Sequence, residues 1–402
     1  MKTDVAIIGT GAIGLSLAYQ LLCRGRQVTI IDRDPLRRPG TSMQGQRLML
    51  RSATSWAASG ILPPANFQTA TDPLDKLRGF SHSLFPELAG RLHQETGIDC
   101  ELERCGGWYL ADTIGEIGAM AGMVSYWHDL AIECEEVSLE QLVRREPSLE
   151  GWVRGQQRAK AWWAPDEYQI RCPLYLDALL AACLKRGAEL MDGRKVTGLE
   201  ESGATVEICL DHEADPALFA HQVAVCGGTW SGLVDPRMRL TTSLVPVRGQ
   251  ILLLKTPKRM FHSVVNIGHR YLVPRRDGAL LIGSCEEEAG FQHGTTPAIL
   301  SDLREFARHL CPGLRDAHEV AAWSGLRPMT FDGFPMCGKL PDSDGIFVAA
   351  GHFRSGVHLS PGTAVCLAQL MSGEPPPISM DAFRVGKQQS QSVGHQPTRN
   401  PD

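Results

Sequence analysis

Within the first 32 residues stand three glycines and an acid whose spacing suits a nucleotide. Gly9, Gly11 and Gly14, in GTGAIG, follow an apolar run from Asp4 to Ile8 and open a helical pattern with Ile13, Leu17 and Leu21 on one face. In such a strand, turn and helix the first glycine permits the tight turn and the second lets a pyrophosphate approach the backbone. The third lets helix pack on strand, and the helix N-terminus faces the phosphates. A second strand, Val28 to Ile31, runs into Asp32, whose carboxylate can accept hydrogen bonds from ribose hydroxyls. Strand, glycines, helix, strand and acid in that order favour nucleotide binding over a bare structural unit. Arg33 reads as an exposed arginine after the strand rather than as a 2′-phosphate ligand. Near the other end, VAAGHFRSGVHLSPGTA breaks at Gly351, carries Arg354 into a glycine-flanked turn and resumes as a helix, which sets a cation beside whatever that turn faces.

The 402 residues are 43% hydrophobic with a net charge of −5, a globular composition that offers nucleic acid no basic surface. No apolar stretch approaches the roughly 18 to 20 residues of a membrane span, and the N-terminus has the pattern of a strand, so the expected location is the cytoplasm. Twelve cysteines are scattered without a Cys-x-x-Cys pair, and Cys183, Cys226 and Cys366 sit in apolar runs as small hydrophobes. Neither a disulfide nor a metal site is expected.

The elements that must position these residues alternate between two styles. After Asp32 comes a long Gly/Pro/Ser-rich connection carrying Arg37, Arg38, Arg47 and Arg51, then a helix opened by Asp72 and Pro73 and closed before Gly97. DCELERCGGWYLAD reads as strands with a bend at Cys105-Gly106-Gly107, residues 113 to 149 read as helical, and RCPLYLDALLAACLKRGAEL as an amphipathic helix. KVTGLEESGATVEICL reads as a hairpin, and HQVAVCGG as a buried strand ending at Gly228. From Val245 to Ala322 the pattern is mostly antiparallel β, with a hairpin turn at Asp277-Gly278 and one helix near Leu300 to Leu310. This predicts a discontinuous α/β domain made of 1–97, 150–244 and 323–385, an inserted α+β domain made of 98–149 and 245–322, and a disordered tail at 386–402.

Taken together, GTGAIG with Asp32, SWAASGILPP, VAVCGGTWSG, RYLVPRRDGALLIGS, WSGLRPMTFDGFPMCG and GHFRSGVHLSPGTA resemble the flavin-dependent D-amino-acid oxidase superfamily, and within it the glycine oxidases of thiamine biosynthesis. The resemblance runs to about Phe383. It implies a Rossmann-like FAD-binding domain of the glutathione-reductase type, with an inserted antiparallel-sheet domain covering the flavin to form the substrate pocket. Noncovalent FAD would then touch Gly9, Gly11, Ala12, Ile13, Gly14, Asp32 and Arg33. Thr54, Ser55, Ser59, Gly60 and Ile61 would line the phosphates and flavin edge, with Val196 at the adenine and Gly228 in the Gly-Gly turn. His352, Phe353, Arg354, Ser355, Gly356, Val357 and His358 would wrap the pyrimidine side. Tyr271, Arg327 and Arg354 match the substrate positions, and each follows a run that reads as a strand. Ile61, Leu62 and Pro63 stand where side chains help set pocket size, and no cysteine stands at the position where related sarcosine oxidases attach flavin covalently, although Cys337 lies in the general region.

The resemblance implies oxidative deamination of glycine or a small amine, with O2 as acceptor and H2O2 as product. Two other readings stay open: a D-amino-acid dehydrogenase that passes electrons to a quinone, and a noncatalytic flavin- or NAD-binding protein. The preferred substrate, the acceptor and a homo-oligomeric assembly are not readable from the residues.

Overall fold

The computed structural model describes residues 1–36, 53–211, 218–238, 240 and 243–386. The four extra arginines of the long connection and all of the tail but Gly386 lie outside the described residues.

The N-terminal apolar run becomes the strand Lys2–Ile8 at the centre of an eight-stranded sheet. It pairs in parallel with Val28–Asp32 on one side and Leu218–Val225 on the other. Glu189–Asp192 extends the sheet beyond Val28–Asp32, and Ile346–Ala350 extends it beyond Leu218–Val225; all five run parallel. The hairpin Val196–Ser202/Thr205–Leu210 and the edge strand Met336–Lys339 complete it in antiparallel fashion. Helix Ala12–Cys23 lies against one face and shares a core with helices Pro73–Thr96, Cys172–Lys185 and Ser360–Met371. Buried on all sides, it loses the single apolar stripe expected of a surface helix: Leu15, Leu17, Ala18 and Leu21 are all fully covered. Each leucine buried this way contributes roughly 1.5 to 3 kcal/mol. Asp72 caps the long helix through Leu74 N and Asp75 N, Pro73 fills its first turn, and Gly97 closes it at φ +77°.

The second sheet also has eight strands, ordered His318–Met329, Val245–Lys255, Ala279–Gly283, Arg270–Pro274, Val264–Ile267, Gly107–Ala111, Lys160–Ala164 and Glu135–Val137. It is antiparallel except between Val264–Ile267 and Gly107–Ala111. Three readings of the sequence need correction here. Lys160–Ala164, within the stretch 150–244 assigned to the nucleotide unit, pairs with Gly107–Ala111 and Glu135–Val137 in the second sheet. Its AWWA run suits a pleated, half-buried surface, but its partners are distant in sequence. His318–Met329 also runs straight through the expected boundary at 323. Lastly, before Gly107–Ala111 there is only a bridge at Glu103 to Gln169, and Glu101 at φ +52° breaks the extended backbone ahead of it. Among the described residues no helix is long and apolar enough to cross a membrane.

Behind the second sheet Glu167 is fully buried, accepting hydrogen bonds from Tyr109 Oη and, at 3.2 Å, from Asn266 Nδ2. Burial pushes its carboxyl up to about 7 from 4.5. The folded chain therefore holds this proton where the unfolded chain has released it. The resulting stability is complete below pH 4.5 and is lost as pH rises through 7, a change of roughly 3 kcal/mol at about 1.4 kcal/mol per pKa unit. Glu167→Gln should flatten that loss: between pH 5 and pH 8 the melting temperature of the wild type falls further than that of the variant. Parallel curves for the two proteins would show that Glu167 does not titrate in this window.

Candidate active site

Three parallel strands end side by side at Gly9, Asp32 and Cys226, and the cleft begins there. Gly9 sits at φ +112°, and a Cβ on it would come within 2.6 Å of Cys226 O. A Cβ on Gly14 would strike Gly9 O. Gly11 is different. Its φ is −70° and the nearest atom to a Cβ there is Ser55 Oγ at 3.4 Å, so the protein itself does not require a glycine; the absent side chain leaves the floor of the cleft open. Helix Ala12–Cys23 has no side chain at its N-cap, and of its first N–H groups Ala12 N donates to Ser55 Oγ at 3.0 Å. Asp32 Oδ2 accepts from Thr10 N at 2.7 Å and Thr10 Oγ1 at 2.6 Å, and Oδ1 from Asp34 N at 2.9 Å. The carboxylate is thus fixed at the cleft wall with acceptor capacity left on Oδ1. Arg33 is exposed, yet its guanidinium lies 4.0 Å over Trp230, whose other contacts include a parallel stack on His293.

The cleft continues between the two sheets because a short strap joins them. Thr54 Oγ1 donates to Leu326 O, Thr229 Oγ1 donates to the same carbonyl at 2.9 Å, and Trp323 Nε1 donates to Ala57 O at 3.0 Å. Gly60, at φ +75°, lies so close to Ile170 O that no Cβ fits. Arg275, only 4% exposed, reaches across from the second sheet and donates to Ser59 O at 2.6 Å and to Gln169 Oε1 and Ile170 O at 3.1 Å.

On the second sheet Arg327 stands opposite Val247, and Gly249 opposite Gly325. A Cβ on Gly249 would collide with the Arg327 guanidinium, and one on Gly283 would lie 2.5 Å from the Tyr271 ring. Two glycines therefore hollow out the sheet face to seat the two side chains. Arg327 Nη1 donates to Cys285 O at 3.0 Å and Nη2 to Ser284 Oγ. Among the described residues no carboxylate forms an ion pair with it. Its partners are neutral, and burial pulls its pKa down from the usual guanidinium value without removing the charge. Arg354 Nη1 instead pairs with Glu286 Oε1 at 3.0 Å.

The turn after Ile346–Ala350 brings Phe353 to φ +45°, a left-handed conformation that costs a bulky residue on the order of 1 to 3 kcal/mol and that the surrounding turn imposes. His352 Nε2 and Thr363 Oγ1 share a hydrogen bond of 3.2 Å, and burial drops the imidazole to about 3, so it is neutral. Nearly all of the residues expected at the cofactor line one cleft together with Tyr271, Arg327 and Arg354. Gly14, Ser355 and His358 do not. His358 turns away to share a 3.1 Å hydrogen bond with His82 on helix Pro73–Thr96. Of the residues expected to set pocket size only Ile61 lines the cleft; Leu62 is buried in the helix core. Cys337 is likewise buried and off the cleft. Sequence reading missed Thr10, Trp230, Gly249, Gly283, Ser284, Arg275 and Glu286. The glycines in strand patterns at 249 and 283 were the available signal, since glycine inside a strand marks a close approach.

Gly249→Ala should push the guanidinium of Arg327 out of its seat. The expected outcome is a loss of about tenfold or more in affinity for a simple carboxylate such as acetate, with the melting temperature little changed; isothermal titration checks it. Unchanged acetate affinity would mean that Arg327 does not meet the ligand.

Residues 4–370 match the family model for DAO, described as FAD-dependent oxidoreductase. The chain is 31% identical over 94% of its length to a glycine oxidase of Pseudomonas aeruginosa, covering 97% of that protein. It is 30% identical over 92% of its length to a glycine oxidase of Geobacillus kaustophilus, covering 93%. The crystal structure of glycine oxidase from Geobacillus kaustophilus superposes with a TM-score of 0.85 at 28% identity, covering 98% of this chain and 100% of that one. An iminodiacetate oxidase from Chelativorans sp. BNC1 shares the fold, with a TM-score of 0.80 at 23% identity. The open floor at Gly11, the helix N-terminus and the fixed Asp32 suit a dinucleotide such as FAD. From the Gly9 turn to the sheet that faces it, this chain belongs to the DAO family of FAD-dependent oxidoreductases.

Proposed function

We propose that the chain oxidises a small amino acid, glycine or its N-methyl derivative before larger D-amino acids, to the imine. Water then converts the imine to the oxo acid and releases the amine. The observation that carries this reading is Arg327: a cation with only neutral partners, seated in a hollow of the sheet beside Tyr271 and opening on the cleft that begins at Gly9. A planar guanidinium grips a carboxylate through two parallel hydrogen bonds and so fixes the direction of the Cα–H bond as well as its position. Tyr271 can donate its phenolic hydrogen to the same carboxylate.

FAD, when bound, supplies the two-electron acceptor for the hydride leaving Cα. The chain's own residues supply position and electrostatics. Gly9, Gly11 and the first N–H groups of helix Ala12–Cys23 would receive the diphosphate, and Asp32 the ribose. The turn from His352 to Val357 would meet the flavin ring, with His352 neutral. No titratable side chain is needed as a base if the amine arrives uncharged, and O2 then takes the two electrons with two protons to give H2O2.

The test is turnover by purified, FAD-loaded protein with glycine, sarcosine and D-alanine, following O2 uptake and H2O2. Glycine or sarcosine should give the highest kcat/KM. Arg327→Ala should lower it by roughly 30-fold to several thousandfold while the flavin stays bound, and Arg327→Lys should recover only part of the loss. Full activity in Arg327→Ala would refute the assignment. Turnover only with a quinone would exchange the acceptor and leave the amine chemistry standing.

A further inference from the structure

We propose that Glu286 is a specificity residue that reserves the pocket for amino acids with a single carboxylate, by occupying Arg354 and denying it to a second carboxylate on the substrate. The inference rests on the reading of the cleft as a carboxylate site. Two arginines, Arg327 and Arg354, line that cleft, and each could hold a carboxylate. They are not equally available. Arg327 has neutral partners in Ser284 and Cys285, whereas Arg354 is already paired with Glu286 at 3.0 Å.

The segment that carries Glu286 is fixed on both sides. Before it, Ser284 and Cys285 hold Arg327. After it, Glu287 exchanges two backbone hydrogen bonds with Arg248, at 2.8 and 3.0 Å. The Glu287 side chain pairs with Arg248 Nη2 at 3.0 Å and accepts from Gln250 Nε2 at 2.7 Å. Glu286 is therefore presented to Arg354 by an anchored backbone rather than by a swinging loop. One carboxylate matches the remaining cation at Arg327. A second would have to displace Glu286 or lie against its like charge, which costs affinity. Both side chains of the Arg354–Glu286 pair are 42% exposed, so solvent screens the effect and its expected size is about tenfold rather than thousands.

The experiment uses the FAD-loaded full chain and two probes, acetate and succinate, titrated while flavin absorbance is recorded. Glu286→Gln keeps the shape and removes the charge. It should tighten succinate by about tenfold and move acetate by less than about threefold, whereas Glu286→Asp should keep the wild-type preference for acetate. With D-aspartate and glycine as substrates, Glu286→Gln should raise the kcat/KM ratio in favour of D-aspartate by a similar factor. If acetate binding depends on Arg327 but Glu286→Gln leaves the succinate-to-acetate ratio unchanged, or shifts both ligands equally, the proposal is overturned while the carboxylate site stands. If acetate does not bind, or binds equally well to Arg327→Ala, the carboxylate reading fails and this proposal with it.

Discussion

A guanidinium set into a sheet face with no carboxylate paired to it among the described residues is costly to bury, and its neighbours in the second sheet accommodate it. Arg327 fits because Gly249, on the paired strand two residues from its partner Val247, lacks a side chain, and because the turn at Ser284 and Cys285 returns a hydroxyl and a carbonyl to two of its five donors. The residue itself lines the cleft. On the proposed reading, a substrate carboxylate paired with Arg327 would offset a cost the fold already carries.

The proposed carboxylate site would serve only at a set distance from the nucleotide cradle, and the strap ties the two sheets together. Thr54, Ala57 and Ser59 are tied to Leu326, Trp323 and Arg275 of the second domain by hydrogen bonds, the one between Trp323 and Ala57 buried and the other two partly buried. The residue tied to Thr54 is the neighbour of Arg327 itself. A buried arginine bound only to carbonyl and amide oxygens, as Arg275 is, has no neutral way to leave, so it resists sliding of one sheet over the other. The cradle at Gly11 and the hollow at Gly249 are thereby parts of one rigid cleft.

What could be read from the sequence follows the range of the interactions concerned. The cradle was legible because Gly9, Gly11, Gly14 and Asp32 act within one strand, turn and helix, and the long helix was legible from its own caps at Asp72 and Gly97. Arg354 stood out locally as a cation in a glycine-flanked turn, but a substrate role for it, for Tyr271 and for Arg327 came only through resemblance, since little local separates them from an interface tyrosine and two surface arginines. The glycines that seat two of them were missed because their role exists only in the register of Gly249 with Gly325 and of Gly283 with Tyr271, which pairs residues far apart in the chain. The strand Lys160–Ala164 was placed in the wrong unit for the same reason. Glu286 was hidden in a run of three glutamates that reads as a solvated turn, and only the structure separates the one that faces Arg354 from the one that anchors the backbone.

On the proposed reading, a substrate whose carboxylate is anchored on Arg327 presents its Cα–H bond to the flavin. The most direct measurement is anaerobic mixing of the FAD-loaded protein with glycine and with glycine deuterated at Cα, following loss of flavin colour in a single turnover. Bleaching is expected at a rate that saturates with glycine, slows on deuteration and is absent with methylamine, which has no carboxylate to anchor. Flavin that keeps its colour with glycine, sarcosine and small D-amino acids alike, or that bleaches as readily with methylamine as with glycine, would contradict it.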